Sequence, residues 1–364
     1  MNSIEVIQSG SLSTVQDAGR FGAQKYGVSV CGAMDLRALF SGNMLVGNDA
    51  NMAGIELTIG SPAFKFQQQT LIALTGSGMS AKLDGTPVPI WESFFAPKGS
   101  VIRFLPSANQ EGLRLYLCVE GGIETDSVLG SQSTHIGSGV GGRQLSLGDT
   151  ISIGPISKQN VAGNLIPIEL RPQLSTKIKI NVISGPQEGV FTKRGLNTFY
   201  NSEYIVTEQS NRQGIRLDGP KIETIGNRYD IVSDAVTCGS IQVPGDGKPI
   251  ILMADTQTTG GYAKIGVAAT IDLSTLAQAK PGTLVYFVPI SVDEAQLRLR
   301  DHYNALSSAN FLIGLNSLTK NMIVNRQTFE FIMDTRLNQL EEDSFTFAHL
   351  KRDGDDLTVF VRRF

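Results

Sequence analysis

The chain has 364 residues, 41% of them hydrophobic and 18% charged, with a net charge of −3. This length allows two domains or one large domain with a substantial core, and the balanced charge argues against a basic nucleic-acid-binding or membrane-surface protein. Glycine is abundant, at 39 residues. Glycine-rich chains with many short Val-, Ile- and Thr-containing segments are typically all-β proteins with tight turns.

The three cysteines, Cys31, Cys118 and Cys238, are widely spaced and form no CxxC pair. This pattern argues against a disulfide framework or a structural zinc site and fits a reducing compartment. The first residues enter a strand pattern directly, without the regions of a secretory signal, and no segment reaches the length of a membrane span. We therefore expect a cytoplasmic protein in which Cys31 and Cys238 are small buried hydrophobic residues.

Nine short segments are β-branched or apolar and are bounded by Gly, Pro, Asp or Asn, which predicts β-strands. They are residues 4–7, 71–75, 101–105, 113–119, 150–153, 178–183, 204–206, 250–253 and 284–288. Three segments predict helices: residues 35–46, with Asp35 as N-cap, 192–200, and 292–306, which begins with acidic residues. The chain is therefore predicted to be mainly β with few short helices.

Weak internal repetition predicts two related halves. The segment APKGSVIRFLP at residues 96–106 matches AKPGTLVYFVP at 279–289, and IELTIGSPAFKF at 55–66 echoes IRLDGPKIE at 215–223. The repeats occur in the same order, which favours an ancient duplication of a β-barrel. The alternative is that a turn followed by a strand recurs in any turn-rich β protein.

These patterns divide the chain into four parts. We place an N-terminal β-barrel half at residues 1–155, a Pro-, Ser- and Asn-rich connection at 156–176 and a second barrel half at 177–300. Residues 301–364 contain the end of the last helix and an appended β element. We expect two hairpins in it, one within 321–334 and one within 345–364 that turns at Asp353–Gly354.

The segment GSGVGGRQ, residues 137–144, satisfies the pattern G-x-G-x-x-G at Gly137, Gly139 and Gly142. A phosphate-binding loop of that kind precedes a helix, whose N-terminus faces the phosphate. Here the next residues, LSLGDTISIG, predict a turn and a strand, so the segment is neither a Rossmann nor a P-loop site. A glycine nest beside Arg143 that holds an anion stays open as an alternative.

The three histidines are too scattered to predict a metal site, and no G-x-S-x-G or Cys–His arrangement is present. His302 lies in a predicted helix and His349 in the appended element. His135 lies in the Ser- and Gly-rich loop SQSTHIGSG. It is either a structural hydrogen-bonding residue or a group that titrates near neutral pH.

Three polar, glycine-punctuated loops are candidate sites, because loops on a rigid β scaffold commonly carry binding and catalytic residues. They span residues 14–35, 121–143 and 255–264. The candidate residues in them are Gln16, Asp17, Arg20, Tyr26, His135, Arg143, Asp255, Gln257, Thr258, Thr259, Gly260, Gly261 and Lys264. The alternatives are an Asp17–Arg20 ion pair that only holds a turn and a solvated Lys264.

Five ordered segments resemble the successive signatures of one family. They are TVQDAGRFGAQKYGVSVCGAMD, NMLVGNDANMAGIELTIGSPAFKF, GGIETDSVLGSQST, GPQEGVFTKRGLNTFYNSEYIVTEQSNRQGIRLDGP and SDAVTCGSIQVPGDGKPIILMADTQTTGGYAKIG. The family is the biotin-dependent carboxyltransferase/allophanate hydrolase subunit 2 family, also called KipA-like, which includes the C-subunit of 5-oxoprolinase. The resemblance covers about residues 4–300 and implies two cyclophilin-like β-barrel domains. This sequence departs from the family at Thr256, where members commonly have Arg, at Ala263, where they have Pro, and at Val30–Cys31.

The resemblance implies one of the subunits of a 5-oxoprolinase, which opens 5-oxo-L-proline to L-glutamate at the expense of ATP. The implied partners are two further subunits, one KipI-like and one LamB/YcsF-like, and the chain alone is expected to be inactive. Two alternatives stay open: a carboxyltransferase component of a biotin-dependent, urea-type carboxylase, and a non-catalytic regulator that antagonises a KipI-like kinase inhibitor. The sequence contains no A-M-K-M segment, so we expect no covalent biotin on this chain.

By the same resemblance, lactam opening needs groups that hold the substrate carboxylate and stabilise charge developing on the carbonyl. Arg20, Lys264 and the backbone N–H groups near Gly260–Gly261 suit these tasks. Asp17, Asp255 or His135 are the candidates for proton transfer. Carboxybiotin chemistry needs a similar loop, so these residues do not separate the two reactions.

We also expect the first and third loops to meet where the two halves pack together, since ligand sites commonly form at such junctions. Arg20 and Lys264 would then face one anionic ligand group. Gln16, Gln257 and Thr258 would supply uncharged hydrogen bonds.

Overall fold

The computed structural model describes residues 2–107, 111–156, 162–308, 312–313, 346–352 and 355–361. These residues form 24 strands and four α-helices, which confirms a mainly β chain with few helices. The strands of the N-terminal half are β1 (Ser3–Gln8), β2 (Leu12–Gln16), β3 (Gly54–Thr58), β4 (Ala63–Phe66), β5 (Thr70–Gly76), β6 (Met79–Leu83), β7 (Thr86–Pro87), β8 (Ser93–Ala96), β9 (Val101–Pro106), β10 (Arg114–Val119), β11 (Ile123–Glu124) and β12 (Thr150–Ile153). Among all the residues that the structure describes, no helix has the length and apolar character needed to cross a bilayer.

The N-terminal half contains two sheets around one core. The seven-stranded sheet has the order β11-β12-β1-β4-β9-β6-β7, and the five-stranded sheet has the order β2-β3-β10-β5-β8. Their inner faces supply a cluster that includes Phe64 and Phe104, whose rings meet edge to face at 6.1 Å. Helix α1 (Leu36–Leu45) covers the outer face of β5 and β10, so both strands are buried on both faces.

The remaining strands and helices lie in the connection and after it. They are β13 (Asn164–Leu165), β14 (Lys177–Ser184), α2 (Lys193–Asn201), β15 (Tyr204–Val206), β16 (Gly214–Asp218), β17 (Asp230–Ala235), β18 (Ser240–Val243), β19 (Ile250–Leu252), β20 (Thr259–Ala268), α3 (Thr270–Ala277), β21 (Leu284–Pro289), α4 (Val292–Ser308), β22 (Leu312–Ile313), β23 (Thr346–Arg352) and β24 (Asp355–Val361).

The C-terminal half is a closed barrel. Its eight-stranded sheet has the order β14-β21-β15-β16-β19-β18-β20-β17, and β14 also pairs with β20. Seven strands therefore close on themselves, and β17 lies outside the closed barrel as an edge strand. Phe199 from α2 stacks on Phe287 of β21 at 4.3 Å in the barrel core.

The structure confirms the nine predicted strands and three predicted helices within a few residues at their ends. Asp35 caps α1 as predicted, because its Oδ1 accepts a hydrogen bond from the backbone N of Ala38 at 3.0 Å. Helix α3 was not predicted, and its N-cap Ala269 makes no side-chain cap. The expectation of a loop over residues 255–264 is wrong from Thr259 onward, because β20 begins there and pairs with β17 and β18.

One of the two pairs of repeated segments behind the duplication hypothesis, residues 96–106 and 279–289, lies on β9 and β21. Strand β9 is antiparallel to both of its neighbours, β4 and β6. Strand β21 is parallel to β14 and antiparallel to β15. The local similarity therefore does not extend to the strand pairing, and the duplication stays a hypothesis.

The appended β element is partly described. Strands β23 and β24 pair from Thr346↔Val361 to Arg352↔Asp355, which confirms the hairpin predicted to turn at Asp353–Gly354. The other expected hairpin, within 321–334, lies outside the described residues. Strand β22 pairs with β13 at Asn164↔Ile313. The segment after α4 is therefore joined to the connection between the halves.

Candidate functional site

Five buried polar side chains lie where the two halves meet, and we call them the junction cluster: Gln16, Cys31, Glu56, Arg212 and Asp255. Gln16 ends β2 and Glu56 lies in β3, whereas Arg212 precedes β16 and Asp255 follows β19. Cys31 lies in the loop before α1, where its φ of 61° is a left-handed conformation that residues other than glycine seldom adopt. The cluster thus joins strand ends of both halves.

The guanidinium of Arg212 connects the acidic members of the cluster. It donates to both carboxylate oxygens of Asp255, from Nε and Nη2, at 2.9 Å each. It also donates from Nη1 to Glu56 and from Nη2 to the carbonyl of Gly32 at 2.6 Å. Burial disfavours the charge, but Glu56 and Asp255 outweigh it and hold the pKa of Arg212 well above its ordinary value. Arg212 is therefore a cation that bridges the two halves.

The Cys31 thiol brings the first loop to the third. Its Sγ donates to Oδ1 of Asp255 at 3.0 Å and lies 3.9 Å from Oε1 of Gln16. Burial, followed by the charge of Asp255, raises the pKa of Cys31 to about 12. The thiol is therefore a protonated donor at neutral pH. The expected burial is confirmed for Cys31, which is also hydrogen-bonded and so is more than a small hydrophobic residue. The expectation is wrong for Cys238, which is exposed at the surface.

A second set of contacts extends the junction away from Arg212. Glu56 accepts hydrogen bonds from the Tyr116 hydroxyl at 2.6 Å and from the backbone N of Met34 at 2.8 Å. Gln278, at the end of α3, donates to Oδ2 of Asp35 at 2.8 Å and to the carbonyl of Arg114 at 3.0 Å. Residues of the C-terminal half therefore satisfy polar groups of the N-terminal half at several places.

Asp17 and Arg20 hold residues 128–133 instead of pairing with each other. The Asp17 carboxylate accepts hydrogen bonds from the backbone N of Gly19 at 2.8 Å and of Gln132 at 2.7 Å, and from the hydroxyls of Ser131 and Ser133. Arg20 is fully buried, and it donates to the carbonyls of Val128 and Ser133 at 2.8 Å each. The first loop therefore supports the second, and the suggested ion pair within a turn is wrong.

An open cavity of about 690 Å³ lies beside this supported segment. Asp17, Ser131 and Gln132 contribute to one wall, and Glu124 and Asp126 contribute acidic groups. Neither Arg20 nor the third loop lines this cavity.

The glycine segment at 137–144 packs against residues of its own chain, and its Arg143 forms an ion pair with Asp149. Arg143 donates from Nη1 and Nη2 to the two carboxylate oxygens of Asp149 at 2.8 Å each. Gly141 approaches the Ser133 carbonyl so closely that an added Cβ would lie 2.0 Å from its oxygen. His135 Nδ1 lies 2.6 Å from the Ser138 hydroxyl, a contact within its own loop. These contacts favour structural roles for Arg143 and His135.

Lys264 is buried and paired, so the alternative of a solvated lysine is wrong. Its side chain is 3% exposed, and Nζ donates to Oδ2 of Asp234 at 2.7 Å and to the carbonyl of Ala235 at 3.0 Å. Arg20 and Lys264 thus bind different parts of the chain. The structure joins the first loop to the start of the third at Cys31. The expectation that both cations face one ligand stays a prediction.

The remaining candidate residues of the first and third loops lie partly at the surface and partly in the sheet. Tyr26 of the first loop is 75% exposed and Gln257 is exposed. The carbonyl of Thr258 accepts a hydrogen bond from the backbone N of Val236. Gly260 and Gly261 lie within β20. The hydroxyl of Thr256, by contrast, is buried without a hydrogen-bond partner in the described structure.

Sequence reasoning missed Glu56 and Arg212, although both lie in segments quoted for the family resemblance. Glu56 is a charged residue within the apolar strand pattern IELTIG, which was a usable signal because buried charges require partners. Arg212 carried no local signal. Its partners are 43 and 156 positions away along the chain.

Fold and junction together define a mainly β, two-part protein whose barrel and double-sheet halves are tied through buried charges. The chain belongs to the family described as carboxyltransferase domain, subdomain A and B, which matches residues 26–289. It is 37% identical to the 5-oxoprolinase C-subunit of Escherichia coli over 295 residues, covering 80% of this chain and 93% of the relative.

Two solved structures are similar over most of this chain. The urea carboxylase of Kluyveromyces lactis matches with a TM-score of 0.78 and 28% identity, covering 84% of this chain and 29% of that protein. The protein TTHA0988 matches with a TM-score of 0.71 and 30% identity, covering 79% of this chain and 55% of that one. This chain therefore corresponds to part of each of those longer proteins.

Proposed function

We propose that the chain is the C-subunit of an ATP-dependent 5-oxoprolinase, which opens 5-oxo-L-proline to L-glutamate. The observation that supports this most directly is the match to the Escherichia coli protein, which this chain covers over 93% of its length at 37% identity. Opening the lactam adds water across the ring C–N bond, and coupling to ATP hydrolysis drives it.

In this proposal the chain works with two other proteins, one KipI-like and one LamB/YcsF-like. The name of the Escherichia coli relative, a subunit of 5-oxoprolinase, supports a need for partners. ATP fits poorly at residues 137–144, since Gly141 is crowded and Arg143 is paired with Asp149. We therefore assign ATP to one of the other proteins of the complex.

The contacts of the candidate residues support a different proposed role for each group of them. Asp255 binds Arg212 through both oxygens, so we propose that it positions the third loop and does not carry protons. Asp17 and Arg20 are assigned to support of residues 128–133, beside the open cavity. Lys264 and the backbone near Gly260 are retained as the groups that meet substrate.

The test is reconstitution. The chain is purified alone and with the KipI-like and LamB/YcsF-like proteins, and glutamate and ADP are measured after addition of 5-oxo-L-proline and ATP. We expect stoichiometric glutamate and ADP from the complex and none from the chain alone. Robust turnover by the chain alone, or an inert three-protein complex, would contradict the proposal.

A carboxyltransferase component of a biotin-dependent carboxylase is the second candidate, favoured by the structural match to the Kluyveromyces lactis urea carboxylase. Because no covalent biotin is expected on this chain, the reaction would need a separate biotin carrier. Transfer of labelled CO₂ from a carboxylated carrier to urea, in the presence of this chain, would favour this candidate over the first.

A further inference from the structure

Lys264 alternates on β20 with Ala263 and Ile265 of the barrel core and lies among other polar groups. We call this group of residues the Lys264 recess and define it by Gln187, Gln242, Gly260 and Lys264. Gln242 on β18 is the cross-strand partner of Lys264 on β20. The Gln187 side chain accepts a hydrogen bond from the backbone N of Lys264 at 3.2 Å. Both Lys264 and Gln242 are 3% exposed. The recess therefore combines a buried cation with two side-chain amides.

One donor of the recess is unused. The Nε2 of Gln242 is buried and has no hydrogen-bond partner among the described residues. A Cβ added to Gly260 would lie 2.3 Å from this nitrogen, so the bare backbone of Gly260 gives the amide its space. A buried N–H group without a partner costs free energy that a bound acceptor would recover. The Nε2 of Gln242 is therefore a donor that an acceptor bound to Lys264 would satisfy.

The acceptor now bound to Lys264 is a carboxylate from the chain itself. Oδ2 of Asp234 accepts from Lys264 Nζ at 2.7 Å and from Gln187 Nε2 at 3.2 Å. The Asp234 side chain is 51% exposed, in contrast to Lys264. The hydrogen bond from Lys264 holds the pKa of Asp234 below its ordinary value, so this carboxylate is ionised at neutral pH.

The strand that supplies Asp234 is the least embedded strand of the barrel. Strand β17 pairs only with β20 among the described strands, and the register shifts between Asp230 and Asp234. Val232, between them, is 92% exposed. The half-exposed side chain of Asp234 can therefore turn away from Lys264 while the backbone of β17 stays paired with β20. A second carboxylate that replaced it would preserve the ion pair that the buried ammonium requires.

We propose that the Lys264 recess is a carboxylate-binding site that Asp234 occupies as an internal competitor, and that a small-molecule carboxylate displaces Asp234 and binds Lys264 and Gln242. The identity of the ligand rests on the proposed function: it is 5-oxo-L-proline, whose carboxylate enters the recess while its lactam stays outside. Asp234 thereby raises the apparent dissociation constant, which equals the intrinsic one divided by the fraction of molecules in which the recess is free of Asp234.

The test is calorimetric titration of the purified chain with 5-oxo-L-proline and with its neutral carboxamide. Asp234→Asn removes the competing charge, and we expect the carboxylate to bind about 3- to 10-fold more tightly than to the unchanged chain. Gln242→Leu should weaken binding, and the carboxamide should not respond to either change. Asp218→Asn, which breaks the exposed Lys248–Asp218 pair of the same barrel, is the matched control and should leave the affinity unchanged.

Equal affinity of the Asp234→Asn and unchanged chains, or weaker binding after Asp234→Asn, would overturn the inference. A reconstituted complex that makes glutamate while Asp234→Asn leaves binding unchanged would refute the recess and keep the proposed function. Succinate serves as a second carboxylate probe. Succinate that binds Asp234→Asn more tightly than the unchanged chain would support the recess. If the reconstituted three-protein complex also makes no glutamate, the proposed function is refuted while the recess stands.

Discussion

Among single residues, Arg212 is the cation that two buried carboxylates share, and in the described structure its loss leaves Asp255 without its arginine and Glu56 with only Arg114, 3.8 Å away. It is buried and contacts one carboxylate in each half. Removing one partner of a buried ion pair leaves the other charge without solvent or counter-ion, which costs far more than the pair contributes. Arg212 therefore contributes strongly to the stability of the junction, because it is the cation that contacts both carboxylates.

We predict that Arg212→Met lowers the free energy of unfolding by about 3–5 kcal/mol, measured by urea denaturation. Arg143→Met is the control, because Arg143 is 66% exposed and its pair with Asp149 is screened by water. The control should leave the urea midpoint nearly unchanged. Equal urea midpoints for the two variants would show that the buried junction charges contribute no more to stability than the exposed Arg143–Asp149 pair does.

Cys31 gives the junction a measurable pH dependence. Its folded-state pKa of about 12 lies above the ordinary value of 9.0, so the folded chain holds the thiol proton more tightly than the unfolded chain does. The corresponding stability is fully present below pH 9 and is lost as pH rises toward 12. One such proton changes the free energy of unfolding by at most about 1.4 kcal/mol per pH unit.

We therefore expect the unfolding free energy of the unchanged chain to fall more steeply above pH 9 than that of Cys31→Ser. Urea denaturation at several alkaline pH values measures both slopes. Parallel slopes would mean that the thiol ionises equally well in the folded and unfolded chains.

At the scale of elements, residues 128–133 are held from two sides. Asp17 and Arg20 bind them from the first loop, and Gly141 packs against the Ser133 carbonyl from the glycine segment. Gly141 has a φ of 76°, and Gly139 has a similar φ of 70° but nothing within 4 Å of an added Cβ. The main difference between the two glycines is crowding.

This difference supplies a matched pair of substitutions. Gly139→Ala should cost about 1–2 kcal/mol of unfolding free energy, the usual penalty for a left-handed residue with a side chain. Gly141→Ala should cost clearly more, because the methyl group must displace the Ser133 backbone, and limited proteolysis should cut residues 128–133 faster. Equal costs in urea denaturation would show that the loop accommodates the methyl group freely.

The appended β element tests the boundary of the fold. The described members of the three hydrophobic clusters end at Leu306. A chain that ends after Ser308 loses the β13–β22 pairing but keeps these clusters. We expect it to be monodisperse, with the far-UV circular dichroism of a β protein. A truncated chain that only aggregates would make the element integral to folding.

At the scale of the whole molecule, apolar packing and polar contacts tie the halves together. Met34, from the loop before α1, is 3% exposed and lies in the hydrophobic cluster of the C-terminal barrel. Its backbone N binds Glu56 of the N-terminal half. We therefore expect the two halves to unfold together.

Met34→Ala should lower the free energy of unfolding by about 2–5 kcal/mol and weaken this coupling. Met79→Ala, fully buried within the N-terminal cluster alone, is the control for loss of volume. In scanning calorimetry, we expect a van't Hoff enthalpy below the calorimetric enthalpy for Met34→Ala, and a smaller discrepancy for Met79→Ala. The same ratio of van't Hoff to calorimetric enthalpy in both variants would mean that Met34 does not couple the unfolding of the two halves.

Local patterns predicted the structure correctly where a single element decides the outcome. Alternation and bounding turn residues located the strands, and Asp35 marked the start of α1, because both signals act over a few neighbouring residues.

The prediction for the third loop was wrong in its second part. Two glycines and three threonines favour a turn locally, but β17 and β18 supply backbone partners on both sides of β20. Sheet pairing therefore outweighed local preference.

Sequence patterns predicted the strand-rich composition, the main helices, the hairpin at the C-terminal end and, through ordered motifs, the family. Which polar residues act together follows only from the three-dimensional fold. Arg212 binds Glu56 across 156 positions, Cys31 binds Asp255 across 224, and Lys264 binds Asp234 across 30. The physical reason is that a buried charge is stabilised by whatever partner the fold brings within hydrogen-bonding distance, and spacing along the chain does not encode that distance.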